Sequence, residues 1–246
     1  MKKHVLITGA TGGLAQSLVK KLANSDYQLV LVSRNSEKLE KIYGDKHTQI
    51  IADCSNFQGA KQIFDEISER DISLDSLGHC VGNIRLGSLH RTSENDFFDC
   101  ISTNLFSAFF ILSGFVEHLK KLSNQGSAVF VSSAAASIGI PNHEVISAAK
   151  GGLEALVRSA AASYASSNIR INAVSPGIME TPASANLLTS DLMREVAAKQ
   201  YPIKGIGSAD EVADLIAWLL SEKAQRVTGQ VWSIDGGFSS IRPLVK

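Results

Sequence analysis

Thr8-Gly9-Ala10-Thr11-Gly12-Gly13-Leu14-Ala15 stands directly after a short apolar run and directly before a helical pattern. Glycine at such a junction lets backbone N–H groups approach an anion, and the dipole of the following helix favours negative charge there. The chemistry this predicts is a grip on a dinucleotide diphosphate, with Thr8, Gly9, Thr11, Gly13 and Leu14 as candidates. About twenty residues further on, the second β-branched run ends at Ser33-Arg34. A site for NAD usually carries an acid there to hold the adenosine ribose, whereas a guanidinium suits a 2′-phosphate. Ser33 and Arg34 therefore favour NADP(H), with NAD(H) as the alternative. A solvated surface arginine is the plainer reading of the same side chain.

Other chemistries find little support. No G-x-S-x-G elbow is present, and no helical pattern carries paired histidines at metal-ligand spacing. Cys54, Cys80 and Cys100 are odd in number and widely spaced, so they suggest neither a zinc site nor a disulfide framework. No metal is expected.

The elements that must position these residues alternate. Strands are predicted at 4–8, 28–33, 48–53, 76–81, 128–132, 170–175 and 230–234, and helices at 14–23, 36–42, 58–68, 94–122, 147–165 and 210–221. Alternation of this kind implies right-handed crossovers and a parallel sheet. Continuous apolar strands such as Val5-Leu6-Ile7 and Leu29-Val30-Leu31-Val32 imply cover on both faces. The predicted class is α/β, a single Rossmann-type doubly wound parallel sheet with helices on both faces, spanning residues 1–246. Segment 177–201, bounded by Pro176 and Pro202, reads as irregular, and 178–201 as a lid over a substrate.

At 246 residues and 44% hydrophobic, the chain can build a large core. Lys+Arg and Asp+Glu are both 24 and form no block. That argues against nucleic acid or an anionic membrane as partner and leaves a small molecule. No run is expected to span a membrane, and the first residues do not read as a signal peptide, so a cytoplasmic protein with reduced thiols is expected. Apolar residues wrap most of the 94–122 helix, while Ala148, Gly151, Gly152, Ala155, Ser159 and Ala162 make a smooth face on the next one. Two such helices suggest an interface between copies, in a homodimer or homotetramer; packing within the chain is the alternative.

Taken together, several motifs resemble the short-chain dehydrogenase/reductase family over nearly the whole chain. Thr8-Gly9-x-x-x-Gly13-x-Ala15 is similar to its TGxxxGxG loop. Asn172-Ala-Val-Ser-Pro176-Gly177-Ile178-Met-Glu-Thr181 is similar to its NxVxPGxxxT, and Asp235-Gly236-Gly237 to its closing signature. The resemblance implies that Asp53, with Cys54 beside it, meets the adenine. It also implies that Gly82 ends the turn after the fourth strand, and that Pro176, Gly177, Ile178 and Thr181 hold the nicotinamide. Asn104, Ser133 and Lys150 match the asparagine, serine and lysine of the catalytic set: a water relay, a hydroxyl for the substrate oxygen and a grip on the ribose. The implied reaction moves a hydride between nicotinamide and a carbonyl or alcohol.

Two departures matter. The family's NNAG turn reads His79-Cys80-Val81-Gly82, and the position of its catalytic tyrosine, four before the lysine, is Ile146. Isoleucine donates no proton, and general acid–base help is worth on the order of 10²–10⁴ in rate. His143, in a loop beside Pro141, is the leading substitute, with Glu144 and Tyr201 behind it. Tyr27, Tyr43 and Tyr164 are expected to face away. Ala135, Ile138, Ile140, Leu187, Leu188 and Met193 suggest an apolar pocket. Two expectations follow: an NADP(H)-dependent oxidoreductase with altered acid/base chemistry, or a silent cofactor-binding sensor or assembly subunit.

Overall fold

Val5, Leu6 and Ile7 have no exposed surface, yet their side chains go to different layers. Val5 and Ile7 join one apolar cluster, and Leu6 joins another across the sheet. That division, repeated by Leu29 and Leu31 against Val30 and Val32, defines a sheet covered on both faces. The structure is a computed structural model and describes residues 2–23 and 26–242.

In chain order the strands are β1 (Lys3–Thr8), β2 (Tyr27–Ser33), β3 (Thr48–Ile51), β4 (Leu74–His79), β5 (Gly126–Val131), β6 (Ile169–Pro176) and β7 (Val231–Ile234). All pair in parallel, in the order β3-β2-β1-β4-β5-β6-β7. The order reverses between β1 and β4, which opens a crevice at their C-terminal ends, where sheets of this kind bind ligands.

The helices are α1 (Gly13–Ala23), α2 (Ser36–Tyr43), α3 (Phe57–Glu69), α4 (Glu94–Ile101), α5 (Ser107–Lys121), α6 (Glu144–Tyr164), α7 (Asp191–Lys199) and α8 (Ala209–Leu220). α1, α2 and α8 pack on one face through Leu18, Leu39 and Ile216. α3, α5 and α6 cover the other through Ile63, Phe115 and Val157. Side-chain oxygens close the helix starts: Asn35 accepts from Lys38 N, Asn56 from Gly59 N, and Ser208 forms a capping box with Glu211.

Three expectations need correction. The long helix predicted at 94–122 contains a π-turn at Ser102–Phe106, so α4 and α5 meet out of α-helical register around Asn104. By length and composition the run Glu94–Lys121 could also cross a bilayer, contrary to the expectation that no segment would. Half of its most apolar window is buried within the fold, as a core helix would be. The segment read as irregular holds a 3₁₀ turn at Pro182–Leu187 and the helix α7, whose N-cap Ser190 accepts from Met193 N at 3.2 Å.

Candidate active site

The glycine loop is fixed by its own backbone. Gly9 has φ +70°, and a Cβ there would lie 2.9 Å from Cys80 C, Cys80 O and Val81 N at the end of β4. Only glycine meets both demands. Gly12 N donates to Gly9 O at 2.9 Å, and Gly13 starts α1. From below, the Tyr43 hydroxyl donates to Ala10 O at 2.7 Å, so this tyrosine supports the loop rather than facing away from it. Burial pushes its pKa up to about 12, which keeps it a donor. From above, Thr181 and Pro182 close on Gly13, where a Cβ would stand 3.0 Å from Pro182 Cδ. The segment that follows β6 therefore rests directly on the N-terminus of α1.

Thr8 takes a role the sequence did not suggest. Its hydroxyl lies 2.8 Å from His79 Nδ1, fully buried, and so is turned away from the loop. His79 Nε2 lies 3.1 Å from Ser107 Oγ, which donates its own proton to Thr103 O at 2.6 Å. Ser107 can therefore only accept from Nε2–H, which leaves Nδ1 to accept from Thr8. Burial lowers the His79 pKa to about 3, with Lys150 pushing the same way, so the ring is neutral. His79 thus ties the end of β1 to the π-turn. Leu14 and Cys54 likewise send their side chains into the core, and burial raises the Cys54 thiol to about 12.

On the far side of the loop, Thr11 Oγ1 lies 3.1 Å from Ser33 Oγ. The Arg34 guanidinium is largely exposed and 3.9 Å from Asp53 Oδ2, while Asp53 Oδ1 accepts from Ser55 N and Oγ. Arg34 and Asp53 thus face each other across a gap at the open rim.

Lys150 is 6% exposed, and its ammonium donates to Val131 O at 2.7 Å. Burial lowers its pKa to about 8, partly offset by the neighbouring Cys100 and Cys80 thiols. Among the described residues no carboxylate is paired with it. Gly82 leaves the space in which Asn104 and Lys150 approach, since a Cβ there would be 3.0 Å from Asn104 Oδ1 and 3.5 Å from Lys150 Nζ. The Asn104 side-chain amide, expected to serve a water relay, is occupied. It donates to Asn83 Oδ1 at 2.7 Å and Cys100 O at 2.9 Å, and accepts from Asn83 N. Asn83 in turn donates to Asp99, which also takes Arg85, so this network pins the loop after β4 to α4.

Ser133, His143 and Ile146 line one cavity of about 500 Å³, together with Pro176, Gly177 and Ile178. Ser133 Oγ accepts from Ala135 N at 3.2 Å, so its own proton remains free to donate. His143 Nδ1 lies 2.8 Å from Pro141 O; a carbonyl only accepts, so Nδ1 carries a proton and Nε2 is the free nitrogen. Ile146 stands one helical turn before Lys150 and packs with Cys100, Ala135 and Val145. Glu144 is exposed. Tyr201 also lines the cavity; its oxygen accepts from Ile178 N at 2.8 Å, which leaves its own proton free, and burial raises its pKa. Of the expected pocket residues, Ala135, Ile140, Leu187 and Met193 line the cavity; Leu188 is buried and Ile138 lies outside.

Comparison with known proteins agrees with this architecture. A family model described as Enoyl-(Acyl carrier protein) reductase matches residues 9–239. A tropinone reductase homologue of Arabidopsis thaliana is 33% identical, over 96% of this chain and 92% of its own. Carbonyl reductase family member 4 of Danio rerio is 30% identical, over 96% and 98%. The solved structure of ElxO with NADP bound superposes with a TM-score of 0.91 at 28% identity, covering 98% of this chain and all of the other. Levodione reductase gives 0.89 at 28% identity, covering 98% and 99%. The chain belongs to the short-chain dehydrogenase/reductase family, a family of oxidoreductases.

Proposed function

We propose that the chain is an NADP(H)-dependent oxidoreductase of a small carbonyl or alcohol compound, in which His143 and Ser133 serve the substrate oxygen in place of a tyrosine. The observation that carries this reading is that Ser133, His143 and Ile146 line one cavity. A proton donor is thereby available where position 146 offers none.

The residues fit the cofactor. Gly9 and Gly13, with the first amides of α1, suit a diphosphate; Ser33 and Arg34 suit a 2′-phosphate, and Asp53 the adenine. Lys150, buried without a carboxylate partner, suits the ribose hydroxyls. Gly82 leaves room beside it, and Pro176, Gly177, Ile178 and Thr181 wall the nicotinamide end. When bound, the nicotinamide supplies or accepts the hydride. Ser133 donates its free proton in a hydrogen bond to the substrate oxygen. His143 Nε2, when the ring is protonated, gives the proton that the oxygen needs on reduction; when neutral, it takes the alcohol proton on oxidation. Both directions use the same nitrogen.

NADPH consumption with a panel of carbonyl compounds tests this, comparing wild type with His143→Ala. A fall of at least about tenfold is expected, and equal rates would remove His143 from the mechanism. Calorimetry that finds no uptake of either pyridine coenzyme by the folded protein would overturn the whole reading. The buried, packed Ile146 favours a second reading, a silent cofactor-binding sensor or subunit.

We also place the protein in the cytoplasm as a homodimer or homotetramer. Ala148, Ala155, Ser159 and Ala162 are exposed on α6, although Gly152 packs within the chain against Leu105. Phe97, Phe98, Phe106 and Phe109 are exposed along α4 and α5. Sedimentation equilibrium checks this, and a monomer at micromolar concentration would refute it.

A further inference from the structure

The cavity beside Ser133 carries a chemical selectivity in its walls. Leu192, Met193 and Val196 stand on one face of α7, and Ile84 and Leu86 stand in the loop after β4; all five line the cavity, and all five are exposed. Two apolar surfaces thus flank one cleft, and burying them against an apolar body is favourable.

No Lys, Arg, Asp or Glu is among the described residues that line it. The cations nearest in sequence are held elsewhere. Arg85, between the two loop residues, donates to Asp99 at 2.9 Å and 3.1 Å. On α7, Arg194 pairs with Glu180 and Lys199 with Glu195. Lys150 donates to Val131 O. The polar groups that remain are few. Ser133 has a free proton and His143 a free Nε2, and both line the cavity together with Ile146. Gln200 is the exposed amide at the end of α7. The Tyr201 oxygen accepts from Ile178 N and keeps its own proton.

Resting on the oxidoreductase reading, we propose that the cavity takes an uncharged carbonyl compound with an apolar body, its oxygen toward Ser133 and His143 and its body against the apolar face of α7. The same body carrying a carboxylate or phosphate is rejected. An anion at the far end of the body, buried against the α7 face, would lose its water and meet no lysine or arginine among the described lining residues, a cost that a neutral ketone escapes. At about 500 Å³, shared with the nicotinamide, the space suits a compound smaller than a drug.

The test uses 2-octanone and 7-oxooctanoate, which have the same carbon count and ketone position but differ in a terminal carboxylate. Binding to the protein saturated with NADP⁺ is measured by calorimetry, and turnover separately by NADPH consumption. The expected result is affinity for 2-octanone at least about tenfold above that for 7-oxooctanoate. Met193→Lys, at an exposed position, is expected to close or invert that ratio by giving the carboxylate a partner. Equal or better binding of 7-oxooctanoate by wild type overturns the proposal, as does binding of neither compound. An unchanged ratio in Met193→Lys would place the substrate away from α7 and also overturn it. Binding of 2-octanone without turnover would leave this pocket chemistry standing and sink the oxidoreductase reading instead. Turnover of 7-oxooctanoate with equal ease would do the reverse.

Discussion

At the diphosphate end of the cleft, Gly9 is held between its own positive φ and the backbone of Cys80, Tyr43 braces Ala10 from beneath, and Thr8 is locked to a neutral His79. At the reaction end, Leu192, Met193 and Val196 stand exposed on α7, and the wall carries an isoleucine with no polar atom to offer. The first region is specified by backbone geometry and by buried hydrogen bonds, most of which are satisfied without a ligand. The second keeps shape and apolar surface, and the polar side chains on it, Ser133, His143, Gln200 and Tyr201, are few. One end of a cleft can thus be fixed by backbone geometry while the other is defined by open apolar surface.

The strongest way to break that contrast is to restore the reaction end. Ile146→Tyr, made in a His143→Ala chain so that no second acid competes, is expected to raise kcat/KM for ketone reduction by on the order of 10²–10⁴. The phenol would project into the cavity that Ile146 lines. Steady-state kinetics check this. A flat response would mean that more than an acid is missing, and would favour the silent binder.

The opposite change attacks the rigid end. Gly9→Val places a β-branched side chain at φ +70° and a Cβ 2.9 Å from three backbone atoms. A loss of about 3 kcal/mol in stability is expected, with NADPH affinity down by about a hundredfold or more. Urea denaturation and fluorescence titration would show it. Native stability in this variant would mean that the loop can shift as a body, and that the two ends differ less than the geometry implies.

Lys150 sits where the two regions join, and its titration reports on both. Below its folded pKa of about 8, the folded and unfolded chains both carry the ammonium, and the cost of burying it is complete. Between there and the ordinary lysine value of 10.5, the unfolded chain binds more protons than the folded one, so stability rises with pH. The stability difference between wild type and Lys150→Met, without coenzyme, should therefore shift in favour of wild type by about 2 kcal/mol from about pH 7 to about pH 9.5. Denaturant titrations at several pH values measure it. A pH-independent difference would show that water reaches the ammonium.

Much of this was legible in the residues. Continuous apolar strands separated by helical patterns predict the doubly wound sheet, and a glycine cluster at the first junction predicts the diphosphate end. Both rest on local rules: burial on two faces and freedom at positive φ. What escaped depends on distant partners. Nothing in Tyr43 or His79 announces that the one meets Ala10 and the other Thr8 and Ser107, because those contacts join residues more than one element apart. The π-turn at Asn104 lies inside a pattern that reads as an unbroken helix. By contrast α7 was detectable: Ser190-Asp191 followed by good helix formers is a helix start, and the flanking prolines masked it.

The smallest expected effect separates coenzyme choice from everything else in the cleft. The Arg34 side chain is 70% exposed, and its approach to Asp53, at 3.9 Å, is too long and too wet to add much stability. Removing it should leave folding unchanged, since Thr11, Ser33 and Asp53 keep their other hydrogen bonds. What Arg34→Ala does remove is a guanidinium at the rim beside Ser33 that could meet a 2′-phosphate. NADPH affinity should fall by about tenfold, or about 1.4 kcal/mol, while NADH affinity stays within about twofold. Equal losses for both coenzymes would show that Arg34 holds the rim itself and not the phosphate. The discrimination would then have to come from the shape of the loop, and the rigid end would account for specificity as well as affinity.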